Sequence, residues 1–167
     1  IDIPTALVRE AITVERAKLD ELLKGSGPER ADALKMEMQQ IMTDRVGIFR
    51  SGADLEEAVH RLQALLVRSR RIGLRYRVDG PNPELVTAYR TQKMLKVALC
   101  VASGALARTE SRGAHFREDF PRRDDTTWLK RTLATWRDPS DTLPNLAYEP
   151  LDVMTMELPP GWRGYGA

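Results

Sequence analysis

The sequence predicts a mainly α protein, a three- to four-helix bundle of the spectrin-repeat kind finished by a C-terminal β-hairpin and an extended tail. Three observations carry that expectation. Apolar residues recur at three- and four-residue steps up to about Ala107, the spacing that lines one face of an α-helix. Gly, Pro, Ser and Asn fall at the breaks between those runs, where helices start and stop. Beyond Pro121 the helical period gives way to near-alternation, the pattern of strands.

Pro4 suits a first-turn position, and Leu7, Val8, Ala11, Ile12, Leu19, Leu22 and Leu23 follow at helical steps until Gly25 ends the run. A second helix is expected from Pro28 to Arg45, with Ala31, Leu34, Met38, Ile41 and Met42 along one face. "VGIFRSG" breaks the period. Ser51 with Asp54 then forms an N-terminal cap for a third helix, whose stripe runs from Leu55 to Ile72 and ends near Gly73. "RVDGPNPE" is a turn cluster. A fourth helix is expected from about Pro83 to Arg112 or beyond. Its segment Met94 to Ala107 is apolar nearly all round and rich in small residues, the mark of a central bundle helix. "TWLKRTLATWRD" and "NLAYEPLDVMTMELPP" read as two strands joined by "PSDTLP", followed by the tail "GWRGYGA". A lone hairpin is marginal in water, so Trp128, Trp136, Met154 and Trp162 must lean on the bundle or on another surface.

The 167 residues suit one structural unit: residues 1–120 as the bundle, and 121–167 as hairpin and tail packed on it. With 42% hydrophobic and 30% charged residues the chain is too apolar to be disordered. A formal charge of +2 and a pI near 8.8 give little support to nucleic-acid binding, which needs one strongly basic face. Cys100 stands alone in an apolar run, which excludes a disulfide framework and favours a reducing compartment. The longest apolar stretch is broken by Lys96 and falls short of the roughly 20 residues that span a bilayer, so no membrane insertion is expected. The chain opens at Ile1 with neither a start Met nor a leader pattern, and so reads as a piece of a larger protein.

Candidate chemistry is sparse. His60 and His115 sit on different elements with no second Cys or His at ligand spacing, which argues against zinc. His60 falls beside the apolar stripe of the third helix as a surface residue. "RSRRIGLRYR" carries Arg68, Arg70, Arg71, Arg75 and Arg77, cations that suit a helix C-terminus or a protein contact. The densest feature is "TESRGAHFREDFPRRDD", which follows the apolar helix directly. On a continued helix Ser111 and His115 share a face, whereas Glu110, Arg117 and Asp119 cannot. A catalytic reading makes His115 a general base oriented by a carboxylate, but no nucleophile, phosphate-cradling loop or metal cluster accompanies it. A docking reading uses Arg–carboxylate pairs, whose bidentate hydrogen bonds fix one domain against another. Docking is the reading that the residues favour.

"ARTESRGAHFREDFPRRDDTTWLKRTLA" (Ala107 to Ala134) resembles the signature in the C-terminal helical domain of the fumarate reductase and succinate dehydrogenase flavoproteins. "MTDRVGIFRS" (Met42 to Ser51) is similar to the segment opening that family's long bundle helix, and "LPPGWRGYG" (Leu158 to Gly166) to its ending. L-aspartate oxidase shares the Glu-Ser-Arg-Gly core, but "RRDDTTWLKRTLA" with the Leu-Pro-Pro ending favours the fumarate/succinate branch. "ELPPGWRGYG" further suggests its menaquinol-linked fumarate reductases. A free-standing helical adaptor that binds an acidic partner through its Arg-rich helix end is the remaining alternative.

The resemblance implies a parent enzyme of anaerobic electron transport that interconverts fumarate and succinate at FAD. It also implies electrons exchanged with an iron–sulfur subunit and a membrane quinone-binding subunit, and a cytoplasmic domain peripheral to the inner membrane. The family's catalytic and FAD-binding motifs have no matching positions here, so no catalytic, cofactor or metal role is carried over. Glu110, Ser111, Arg112, Gly113, His115, Arg117 and Asp119 are expected to hold the bundle against the preceding flavin domain of the same chain, with Gly113 allowing a close backbone approach.

Overall fold

The third and fourth helices begin where their local signals put them, whereas the second starts at Ala31 and not at Pro28, because the Glu29 backbone is bonded to Arg71 and Gly73. In the computed structural model, which describes residues 4–78 and 80–151, α1 spans Thr5–Lys24, α2 Ala31–Arg45, α3 Gly52–Ser69 and α4 Pro83–Ala107. The Ser51 hydroxyl accepts the Asp54 N–H at 3.1 Å and donates to its carboxylate at 2.6 Å, so the predicted cap opens α3. Asn82 does the same work for α4, accepting the Leu85 N–H at 3.0 Å ahead of Pro83.

The core lies between α2, α3 and α4. Leu34, Ile41, Leu55, Leu62, Leu65, Leu95 and Leu99 are all 1% exposed or less, and each such burial stabilises by about 1.5–3 kcal/mol. Ala98, Ala102 and Ala105 keep α4 slim where its neighbours approach. By contrast α1 buries only Leu22, and Leu7, Val8 and Ile12 of its apolar stripe stay exposed. It leans on α4 through Glu15, which accepts from the Tyr89 hydroxyl and from Lys93 Nζ at 2.9 Å. The Tyr89 hydroxyl, then Lys18 and Lys93, hold the Glu15 carboxyl at about 2 against an ordinary 4.5. Its contribution is therefore full above pH 4.5 and is lost as pH falls toward 2.

Between α1 and α2 the chain crosses the segment after α3 at backbone contact. The Glu29 N–H donates to the Arg71 carbonyl at 3.2 Å and the Gly73 N–H to the Glu29 carbonyl at 3.0 Å. A Cβ on Gly27 would lie 1.8 Å from the Arg71 carbonyl oxygen, and one on Gly73 would lie 2.1 Å from that of Gly27. Of the arginines expected to close this end, Arg68, Arg70, Arg71 and Arg77 are committed within the chain. Arg68 pairs with Glu29 and Glu37, Arg70 donates to the Ser140 carbonyl, and Arg77 donates to that of Gly25.

Three further expectations need correction. The third helix stops at Ser69, short of Gly73. The fourth stops at Ala107, so Ser111 and His115 never share a helical face. Thr127 and Trp128 belong to a short helix, α5 (Asp125–Trp128), because Asp124 accepts the Thr127 N–H at 2.9 Å and caps it. Two short parallel strands, β1 (Phe49–Arg50) and β2 (Phe116–Arg117), were not expected at all.

The hairpin pairs β3 (Lys130–Thr135) with β4 (Asn145–Pro150), antiparallel from Lys130↔Pro150 to Thr135↔Asn145. It leans on the bundle as a lone hairpin must. Trp128 is buried, the Trp136 indole N–H points to Cys100 Sγ at 3.3 Å, and Gln63 donates to the Thr142 hydroxyl at 2.8 Å. Met154, Trp162 and the Leu-Pro-Pro motif lie outside the described residues.

Candidate functional site

The charged segment begins where α4 runs out of hydrogen-bond partners. Arg108 turns extended, at φ −82 and ψ 109, and leaves carbonyls of the last turn open. The Arg117 guanidinium fills them: its Nη1 donates to the carbonyls of Ala105, Leu106 and Arg108 at 3.1, 2.9 and 3.1 Å. A cation there also meets the negative end of the helix dipole. Nε and Nη2 of the same side chain donate to both oxygens of Asp119 at 2.8 and 2.7 Å. Asp119 in turn accepts the Gly52 N–H at 3.1 Å, at the first residue of α3. One bidentate pair therefore ties the end of α4 to the start of α3. The Arg117 guanidinium holds the Asp119 carboxyl below its ordinary range.

A second ionic cluster lies beside the first. Glu110 is fully buried. Its Oε1 accepts from Arg108 Nη1 at 2.5 Å and Arg112 Nε at 2.9 Å. Oε2 accepts from Arg112 Nη2 at 3.0 Å and the Asp124 N–H at 2.8 Å. Arg108 reaches on to the carbonyls of Trp128 and Lys130 at 3.0 and 2.7 Å, so this cluster fastens the hairpin to the bundle. Buried Ser111 joins the clusters, donating to the Phe120 carbonyl at 2.8 Å and accepting the Arg117 N–H at 2.9 Å.

Between Arg112 and His115 the chain reverses, with Arg112 N–H to His115 carbonyl at 2.8 Å and the reciprocal bond at 3.0 Å. Gly113 takes φ +60 in this turn while a Cβ there would meet nothing within 4 Å. The left-handed backbone favours glycine at this position.

The His115 ring Nδ1 lies 2.6 Å from Arg50 Nη1, and Arg50 is itself held by the Gly47 carbonyl at 2.5 Å. Within this chain His115 Nδ1 thus meets a guanidinium, not the orienting carboxylate of a general base. Burial first, then the Arg50 charge, pushes His115 below its ordinary 6.5, against the opposite pull of the Arg108 backbone. The folded state thus favours neutral imidazole, whose contribution is full above pH 6.5 and is lost as pH falls below it. The melting temperature is expected to drop between pH 7.5 and 5, and His115→Gln to flatten that drop. Equal slopes in the two proteins would exclude His115 as its source.

The seven residues singled out by sequence therefore do meet at one end of the bundle, in two layers. Glu110, Ser111 and Arg117 are buried with their partners in the chain itself, and so support the surface from beneath. Gly113 and Asp119 are exposed, and Arg112 and His115 are half-buried. Sequence reasoning missed Arg50, Arg108, Asp124 and Asp125. Only Asp124 carried a local signal, as a cap residue ahead of Thr126 and Thr127.

A family described as the fumarate reductase flavoprotein C-terminal region matches residues 35–165. The chain belongs to that family. It is 48% identical to a fumarate reductase flavoprotein subunit of Helicobacter pylori, over 99% of this chain and 23% of the relative. With the subunit of the same name from Mycobacterium tuberculosis it shares 36%, over 98% of this chain and 28% of that one. An E. coli quinol fumarate reductase structure superposes with a TM-score of 0.76 at 30% identity, covering 96% of this chain and 27% of its own. The chain thus spans about a quarter of the length of these curated relatives. In this member of the fumarate reductase flavoprotein family, the Glu-Ser-Arg-Gly motif is the floor on which a solvent-facing turn is built.

Proposed function

We propose that this chain is the non-catalytic C-terminal docking domain of a fumarate reductase flavoprotein, with its charged end set against the preceding flavin domain. The parent enzyme would interconvert fumarate and succinate with FAD, and exchange electrons with an iron–sulfur subunit and a membrane quinone-binding subunit. The match to a fumarate reductase flavoprotein subunit at 48% identity over 99% of the chain carries this reading. When bound, FAD would supply hydride transfer to the parent; the cleft between α2 and the start of α4 does not fit it. In the cleft of about 290 Å³ lined by Arg30, Arg75, Tyr76 and Glu84, Arg30 is already paired with Glu84. Glu84 also accepts the N–H groups of Arg75 and Tyr76 at 2.8 and 3.1 Å, so a carboxylate lines the cleft and occupies backbone donors that an anion would need. No described helix is long and apolar enough to cross a membrane.

This domain's residues serve the reaction by position. Arg112, through Glu110 and Asp125, shapes the turn that faces the flavin domain. In the full-length enzyme Arg112→Ala is expected to lower thermal stability and flavin content while the KM for fumarate holds steady. A pure rise in KM with full flavin content would overturn the docking role. A full-length protein purified without flavin would overturn the parent assignment.

A further inference from the structure

The surface above the ionic clusters is apolar. Ile48 and Phe49 are 60% and 72% exposed, and Phe120 is 40% exposed. These side chains are not on a free loop. β1 and β2 pair in parallel, with the Phe116 N–H on the Ile48 carbonyl at 3.2 Å and the Glu118 N–H on that of Arg50 at 2.9 Å. The Phe49 and Phe116 rings meet edge to face, 5.7 Å apart at 73°. Beneath them Arg50 is bound to His115 and the Gly47 carbonyl, and Arg117 to Asp119. A rigid backbone therefore presents a ledge of large apolar side chains whose underlying charges are already paired.

We infer that the Ile48–Phe49–Phe116–Phe120 ledge seats an apolar segment of the preceding part of the same polypeptide. This rests on the docking reading above and adds that the contact is apolar, because Arg50, Arg112, Arg117 and Asp119 are engaged within the chain. The family relative from Helicobacter pylori has about three-quarters of its length outside the matched region, since this chain covers 23% of it. Ledge size argues for that occupant over a second copy. A stable contact between separate molecules takes roughly 20–30 residues a side, far more than this ledge supplies. A tethered segment meets the ledge at an effective concentration on the order of millimolar, so a few buried side chains suffice.

Hydroxyl-radical footprinting of the native full-length protein, read by mass spectrometry against its urea-unfolded form, tests this. Phe49 is expected to be strongly protected, and Phe49→Ser to raise the undocked population about tenfold or more, the loss of one buried aromatic side chain. Phe49→Leu should restore most of the docking. Phe49 as reactive as in urea, with Gly113 to His115 protected, would overturn the apolar seat and leave the docking reading standing. No protection at either place would overturn both. Protection lost on dilution would assign the ledge to a second copy and overturn the inference.

Discussion

Glu110→Ala lowers the unfolding free energy of this chain by about 3–5 kcal/mol, the cost of removing one partner from a buried ion pair. The carboxylate is 0% exposed and receives four hydrogen bonds, from Arg108, from Arg112 twice and from the Asp124 N–H. Without it Arg108, only 15% exposed, retains the Trp128 and Lys130 carbonyls but no counter-charge. The Asp124 N–H loses its acceptor as well. Arg112 suffers less, since it is 29% exposed and keeps Asp125 at 2.7 Å. Urea denaturation followed by circular dichroism should show a lower midpoint at unchanged slope. A loss below about 1 kcal/mol, the worth of an exposed pair, would mean that water reaches the site.

Gly73→Ala has an effect of similar size from a different cause. Its new methyl would lie 2.1 Å from the Gly27 carbonyl oxygen, and the other near atoms are also Gly27 backbone, so no side-chain rotation relieves the clash. The two segments must separate. That breaks the Gly73-to-Glu29 and Glu29-to-Arg71 backbone bonds and loosens Ile72, which is 3% exposed. A loss of about 3 kcal/mol or more is expected, at the upper end of overpacking costs. Gly80→Ala is the useful contrast: its φ of +128 makes it strained, but nothing lies within 4 Å. A crossing that tolerates Gly73→Ala without loss of melting temperature would show that the segments can part freely.

The starts of α3 and α4 were legible in the sequence because their signals are local. Ser51 caps a bond three residues ahead, Asn82 another, and Pro83 stands at the first turn it was expected to occupy. The end of α4 was not legible. What stops it is Arg117, which reaches back to the carbonyls of Ala105, Leu106 and Arg108 from the far side of a turn. Periodicity registers no such tertiary cap, so the helix was extended into Arg112. Similarly, the Arg50–His115 contact joins residues 65 apart and the Gly27–Gly73 crossing has no local sign beyond two glycines. The candidate residues were found because their chemistry is dense. Which of them face inward could not be read, since burial of Glu110 depends on Arg108 and on the Asp124 backbone arriving from opposite sides.

The central claim is that the charged segment closes this domain's own fold before it meets anything else. Measuring the Glu110→Ala stability loss in this chain alone and again in the full-length protein tests that directly. The account predicts equal losses within about 0.5 kcal/mol, the usual error of additivity for independent sites. A chain that loses nothing by itself while the full-length protein is weakened would contradict it.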